Sequence, residues 1–182
     1  MEQLDFIRNG GETRRFHTVP VLRSQTVAEH SFHVTMLLFT LYGQSDPGIS
    51  IPLLLAGLTH DLAEHIVGDL PAPAKRNMGE RLELKGTQTF RSAWGDMENE
   101  LLDGVGLAWE HELSVEQLRM LKVADAMEGM LYCVRERAMG NRLIVPCYMN
   151  FHSYVTELLS NATVEEAEHF AYVESQWSIY ND

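Results

Sequence analysis

The stretch Leu58–Pro71, LTHDLAEHIVGDLP, sets the reading of this chain. Leu54 and Leu55 upstream join Leu58 and Leu62 at helical spacing, which gives one helix face that belongs in a core. Ser50 caps the start of that helix, and Pro52 is tolerated in its first turn. Gly68, Pro71 and Pro73 stop it near Val67. The same helix also carries His60, Asp61, Glu64 and His65. Such groups resist burial unless they are partnered, so the question is what they bind.

Helix signals continue on both sides. A short first helix covers Glu2–Asn9 and stops at Gly10-Gly11, before the irregular run ETRRFHTVPVLRSQ. Thr26-Val-Ala-Glu29 is a capping box that opens a helix over Val27–Tyr42. A stretch from Gly79 to Leu102 fits a helix despite Gly86 and Gly95. Ser114-Val-Glu-Gln117 opens a long helix to Met139, which Gly140-Asn141 closes. Pro146 opens another to Ser160, and Thr163-Val-Glu-Glu166 caps the last, to Ile179. No run alternates as a strand does. The expectation is an all-α bundle of six to seven helices in one domain over residues 1–182.

Composition narrows the function classes. The chain is 45% hydrophobic and 22% charged, as an ordinary globule is. Its formal net charge of −12 argues against sequence-independent nucleic-acid binding and leaves room for a small anionic substrate. The longest uncharged apolar stretch, Val34–Gln44, is too short to span a bilayer. The N-terminus lacks a signal-peptide pattern, so a cytoplasmic protein is expected, with Cys133 and Cys147 reduced.

The polar residues gather into a metal-binding pattern. His60 and Asp61 diverge by ~100° on a helix, yet both can grip an ion over that edge. Glu64 lies on the same side. His65 lies ~140° from His60, and H-x-x-x-E-H is one residue too long for a zinc-protease motif, so it reads as a helix-end histidine. His30 sits in an apolar helix, and Asp125 sits mid-helix in register with Leu118, Leu121 and Tyr132. A buried lone carboxylate must be protonated, paired or metal-bound. One divalent cation shared by His30, His60, Asp61 and Asp125 accounts for all four. This nitrogen and oxygen set suits Mn²⁺, Co²⁺, Mg²⁺, Fe²⁺ or Zn²⁺ and leaves coordination positions open.

The ordered set EHS (Glu29–Ser31), HD (His60-Asp61), Glu64, GDLP (Gly68–Pro71) and AD (Ala124-Asp125) resembles the HD-domain phosphohydrolases. It is most similar to the small 5′-deoxynucleotidases and the phage-type deoxynucleoside triphosphohydrolases. The resemblance implies the HD-domain fold, with His30, His60, Asp61 and Asp125 as metal ligands. It implies that Glu64 and Asp69 handle the attacking water and its proton, and that Arg15 contacts the substrate phosphate. Phe16 falls where the deoxynucleotidases carry a tryptophan near the sugar and base, and a phenyl ring there can still pack against C2′. Phe16, His17, Thr18 and Pro20 are expected to form one wall of a base pocket. The resemblance also implies a homo-oligomer, a dimer or hexamer.

A triphosphate needs more cations than a monophosphate. Lys75 and Arg76, with Arg81 and Lys85 beyond them, supply candidates, so the leading expectation is a dNTP triphosphohydrolase, with dATP among its substrates. The alternative is a dNMP 5′-deoxynucleotidase that releases phosphate. A third reading is a non-hydrolytic metal-dependent nucleotide sensor, against which the presence of both Glu64 and Asp69 speaks.

Overall fold

A computed structural model describes residues 2–43, 49–71, 74, 75, 77, 78 and 90–180. The helices are α1 (Gln3–Glu12), α2 (Val27–Tyr42), α3 (Ile51–Thr59), α4 (Glu64–Val67), α5 (Phe90–Asp103), α6 (Val115–Ala138), α7 (Val145–Leu158) and α8 (Val164–Ile179). Single 3-10 turns lie at Glu110–Glu112 and Arg142–Ile144. Among the described residues the β-structure is one isolated antiparallel bridge, Arg14 to Thr26. The architecture is all-α, as expected.

Local chemistry sets most of the helix starts. Thr26, Ser114 and Thr163 each accept from the backbone N–H three residues on, and Glu29, Gln117 and Glu166 each reach back to the capping residue. Ser50 accepts from Leu53 N–H at the start of α3. These bonds satisfy donors that a helix N-terminus otherwise leaves open.

The centre of the molecule is α6, which packs against α2, α3, α7 and α8. Leu38 of α2, Leu53 and Ala56 of α3, Met127 and Met130 of α6, and Val155 and Trp177 beyond are buried together. Each fully buried Leu or Met side chain contributes roughly 1.5–3 kcal/mol. A second cluster joins Phe6, Val27, Leu62, Ala63, Leu102 and Leu107, and ties α1 and α5 to the α4 region. Met127 and Met130 fill the core, whereas Met139 at the end of α6 lies 45% exposed.

Three expectations are corrected. Gly10-Gly11 does not stop α1, which runs to Glu12. A Cβ at Gly10 would lie 2.6 Å from the Leu62 carbonyl oxygen, so glycine is there for close approach. The helix from Ser50 to Val67 is not continuous, because it tightens after Thr59. Leu62 N–H donates to Thr59 and Glu64 N–H to Asp61, each only three residues back, at 3.0 Å. Of the expected core face, Leu62 is buried and Leu54 packs against the core, but Leu58 is 42% exposed, and Leu53 and Ala56 are the most buried apolar side chains of α3. Of the helix expected from Gly79, residues 79–89 lie outside the described residues, and α5 covers the remainder.

Candidate active site

The segment before α2 is shaped by the bridge. Arg15 N–H donates to Gln25 O at 2.9 Å, and Val27 N–H to Thr13 O at 2.8 Å. Phe16 follows with φ 57°, a left-handed backbone that costs a bulky residue about 1–3 kcal/mol. Its ring stacks on Tyr132 of α6 with centroids 4.3 Å apart and planes 10° apart, and Phe151 meets it at 6.2 Å. Arg15 goes the other way, to Asp61 and Asp125.

His30, His60 and Asp125 converge from α2, the end of α3 and α6, with one ligand atom of each within 4.8 Å of the others. Asp61 joins them. His30 Nε2 is 3.1 Å from Asp125 Oδ1 and 3.5 Å from Asp61 Oδ2, and His60 Nε2 is 3.4 Å from Asp61 Oδ1. Arg15 pairs with Asp61 and stands 4.0 Å from Asp125. The four predicted ligands thus share one small volume, with the predicted phosphate-binding arginine against it.

The imidazole tautomers follow from their partners. His60 Nδ1 lies 3.1 Å from the Gly57 carbonyl oxygen, which can only accept, so the ring proton is on Nδ1. His30 Nδ1 lies 2.6 Å from Glu128 Oε2 and is fixed in the same way. Both Nε2 atoms are buried with no hydrogen-bond partner. Two orphaned nitrogens facing two carboxylates fit a divalent cation.

The charges are strongly shifted. Burial pushes Asp125 up, but the His30 imidazole 3.1 Å away and the charges of His60 and Arg15 hold it well below the usual carboxylate range. Asp61 is lowered against the same burial by His60, Arg15 and His30. Burial and Arg15 lower His30, but the carboxylates of Asp125 and Glu128 win and raise it to about 9, so a cation bound here would take the place of a proton on Nε2. Glu64 goes the other way: burial, Asp61 and Asp69 raise it well above the carboxylate range, with Arg15 and Lys75 opposing.

Glu64 and Asp69 line a cleft of about 570 Å³ with Asn9, Arg14, His17 and Trp94 among its walls. Asp69 Oδ2 pairs with His17 Nδ1 at 3.3 Å. None of the four proposed ligands lines this cleft, but Glu64 does, and its charge couples to Asp61 and Arg15. His65 stays out of the cluster, bonded through Nδ1 to Leu62 O at 2.7 Å and edge-on to Phe6. Thr18 is exposed on the turn closed by Val19 N–H to Phe16 O. Lys75 pairs with Glu98 of α5 at 3.3 Å and stands over the Trp94 ring, so this cation is already engaged. Arg76 lies outside the described residues.

The model of one protein family, described as 5′-deoxynucleotidase YfbR-like, matches residues 7–175. The chain belongs to this family. The 5′-deoxynucleotidase YfbR of Escherichia coli O1:K1 is 30% identical over 155 residues, 78% of this chain and 77% of the relative. The 5′-deoxynucleotidase of Enterobacter sp. strain 638 is 26% identical and covers 95% of this chain and 91% of its own. The fold of this YfbR-like chain is that of the HD phosphohydrolases. A cyanophage S-2L HD phosphohydrolase, DatZ, solved with dA and one catalytic Zn²⁺, matches with TM-score 0.64 at 19% identity over 98% of both chains. An HD-domain phosphohydrolase from Listeria innocua matches with TM-score 0.68 at 16% identity, over 96% of this chain and 88% of its own. The enzyme class is therefore phosphoric ester hydrolase.

Sequence reasoning overlooked two carboxylates at this YfbR-like site. Glu128, 3% exposed, contacts His30 directly. Glu110, in the 3-10 turn packed on α3, is raised by burial; His60 and Lys122 oppose that shift and Asp61 adds to it. The available signal for Glu128 was its place one helical turn after Asp125, on the same face.

Proposed function

We propose that the protein is a metal-dependent 5′-deoxynucleotidase that cleaves a deoxynucleoside monophosphate into deoxynucleoside and inorganic phosphate. The observation that carries this reading is the pair of buried, partnerless Nε2 atoms of His30 and His60 facing Asp61 and Asp125, with Arg15 and Glu64 alongside. Family membership supports the monophosphate over the triphosphate. So does Lys75, whose charge is met by Glu98 rather than held free for a polyphosphate tail.

His30, His60, Asp61 and Asp125 would hold the cation. A divalent ion there supplies Lewis-acid polarisation of the phosphoryl group and acidifies water. Arg15 presents a planar fork to the phosphate, turned from its carboxylate partners or shared with them. Water attacks phosphorus, the P–O5′ bond breaks, and the deoxynucleoside leaves. Glu64 lines the cleft beside Asp61 and Arg15, where its carboxylate can orient the attacking water and take its proton once a cation is bound. Asp69, beside His17 on the cleft wall, is placed to return a proton to O5′. The cleft beyond Glu64 receives the sugar and base.

The test is a panel of every dNMP and dNTP with Mn²⁺, Co²⁺ or Mg²⁺, with products resolved by chromatography. Inorganic phosphate and deoxynucleoside from dNMPs is the expected result. Release of intact triphosphate from a dNTP, with dNMPs untouched, would replace this reading with the triphosphohydrolase. Metal-loaded protein that turns over none of them would end the hydrolytic reading.

A further inference from the structure

Glu128 uses its two oxygens on two different segments. Oε2 accepts from His30 Nδ1 at 2.6 Å. Oε1 accepts from Gln25 Nε2 at 2.7 Å and stands 3.4 Å from His33 Nδ1. Gln25 is itself buried, and its backbone carbonyl is the acceptor for Arg15 N–H. One buried carboxylate on α6 therefore touches the imidazole of α2 and, through Gln25, the segment that carries the arginine. Farther along α6, Tyr132 O–H donates to Arg23 O, and Glu136 accepts from Leu22 and Arg23 N–H at 2.7 and 2.8 Å. Glu128, Tyr132 and Glu136 follow at four-residue spacing, so one stripe of α6 grips residues 22–25 from end to end.

We propose that Glu128 is a positioning residue with two separable duties: one oxygen orients His30 for the cation, and the other, through Gln25, sets the place of Arg15. This rests on the metal centre proposed above. The physics of the first duty is specific. An ionised carboxylate only accepts, so His30 must carry its ring proton on Nδ1 and turn the Nε2 lone pair towards Asp61 and Asp125. A neutral acceptor at position 128 would hold that tautomer less firmly and leave the imidazole a weaker donor to the cation. The second duty acts through Arg15: Gln25 bonds Glu128 with its side chain and Arg15 N–H with its backbone carbonyl.

The experiment uses the full chain and Co²⁺ as the probe, titrated calorimetrically below the melting temperature, with kinetics on dNMPs at saturating Co²⁺. Glu128→Gln is expected to keep wild-type helical circular dichroism, weaken Co²⁺ binding about 10–100-fold, and shift the visible Co²⁺ bands. Gln25→Leu is expected to keep wild-type Co²⁺ affinity and raise KM with little change in kcat. Glu128→Asp, with the same readouts, stands in if Glu128→Gln does not fold, and its Co²⁺ affinity should also fall. A folded Glu128→Gln with wild-type Co²⁺ affinity and spectrum overturns the first duty. An unchanged KM in Gln25→Leu overturns the second. Both variants losing only melting temperature reduces Glu128 to a structural residue. Wild-type protein that binds no Co²⁺ defeats the metal centre itself, which is a different failure from either of these.

Discussion

Two buried polar clusters are built on the same two helices, α2 and α6, and they differ in what they leave unmatched. In one, Glu166 is wholly buried, and both its oxygens are met. Tyr42 O–H donates to Oε1 at 2.5 Å, Arg119 Nη2 donates to the same oxygen at 2.8 Å, and Thr163 N–H donates to Oε2 at 2.8 Å. Its loose end is a donor, Arg119 Nη1. In the other, one donor, Arg15 Nε, is loose as well, but so are three atoms that can offer lone pairs: His30 Nε2, His60 Nε2 and Glu64 Oε2. A donor cannot bind a cation, whereas a lone pair can. Buried charge by itself is therefore a poor marker of function; the kind of atom left unmatched tells the two clusters apart.

The sharpest way to break that contrast is Asp61→Ala. It removes one proposed ligand and the partner of Arg15. Metal loading and turnover should disappear together, read as bound metal after dialysis and as phosphate release. Full occupancy in this variant would move the cation away from the cluster. Next in size is Glu64→Gln, which keeps the cluster intact. Metal content should equal wild type while kcat falls by about 10²–10⁴-fold, the usual reach of general acid–base catalysis. A Glu64→Gln enzyme of wild-type rate would strip Glu64 of its proton role.

The sequence was legible wherever the determinant was local. Three capping boxes and the Ser50 cap set helix starts through contacts within three residues, and they read directly. His30 and Asp125 stood out because each is a polar residue at an apolar register position. The failures share a cause in distance along the chain. Gly10 looks like a terminator until the Leu62 carbonyl comes against it. Glu128 looks like one more acid on a mixed helix until Gln25, His30 and His33 arrive from α2 and the segment before it. Lys75 looks free for a phosphate until Glu98 and Trp94 of α5 take it. Nothing in the residues around Phe16 signals its left-handed backbone.

The closed cluster sharpens the comparison from the stability side. Glu166→Ala removes one of the two acceptors of Arg119 Nη2 and leaves the Tyr42 hydroxyl and Thr163 N–H without theirs. Arg119 is partly exposed and keeps Glu116 at 2.6 Å, which limits the loss. Denaturant unfolding should report a loss of about 1.5–3 kcal/mol, with kcat on dNMPs unchanged. A fall in kcat at full folding would mean that the two ends of α2 and α6 are not independent.

The smallest effect belongs to Tyr42→Phe. It removes one donor to Glu166 and strands no charge, because Arg119 and Thr163 still meet the carboxylate. The phenyl ring keeps its place in the core beside Leu38 and Leu41. The expected cost is about 1 kcal/mol. Its pH dependence has a definite sign. Burial and Glu166 raise the Tyr42 phenol above its ordinary 10.0, so the neutral donor is favoured in the folded chain. That contribution is full below the unfolded value of 10.0 and is lost as pH rises past it towards the folded value. Wild type and Tyr42→Phe should therefore differ most at neutral pH and draw together above pH 10, in urea melts at both conditions. A gap that widens with alkali would show the hydroxyl ionised in the folded protein, and the closed cluster would then hold an unmatched negative charge of its own.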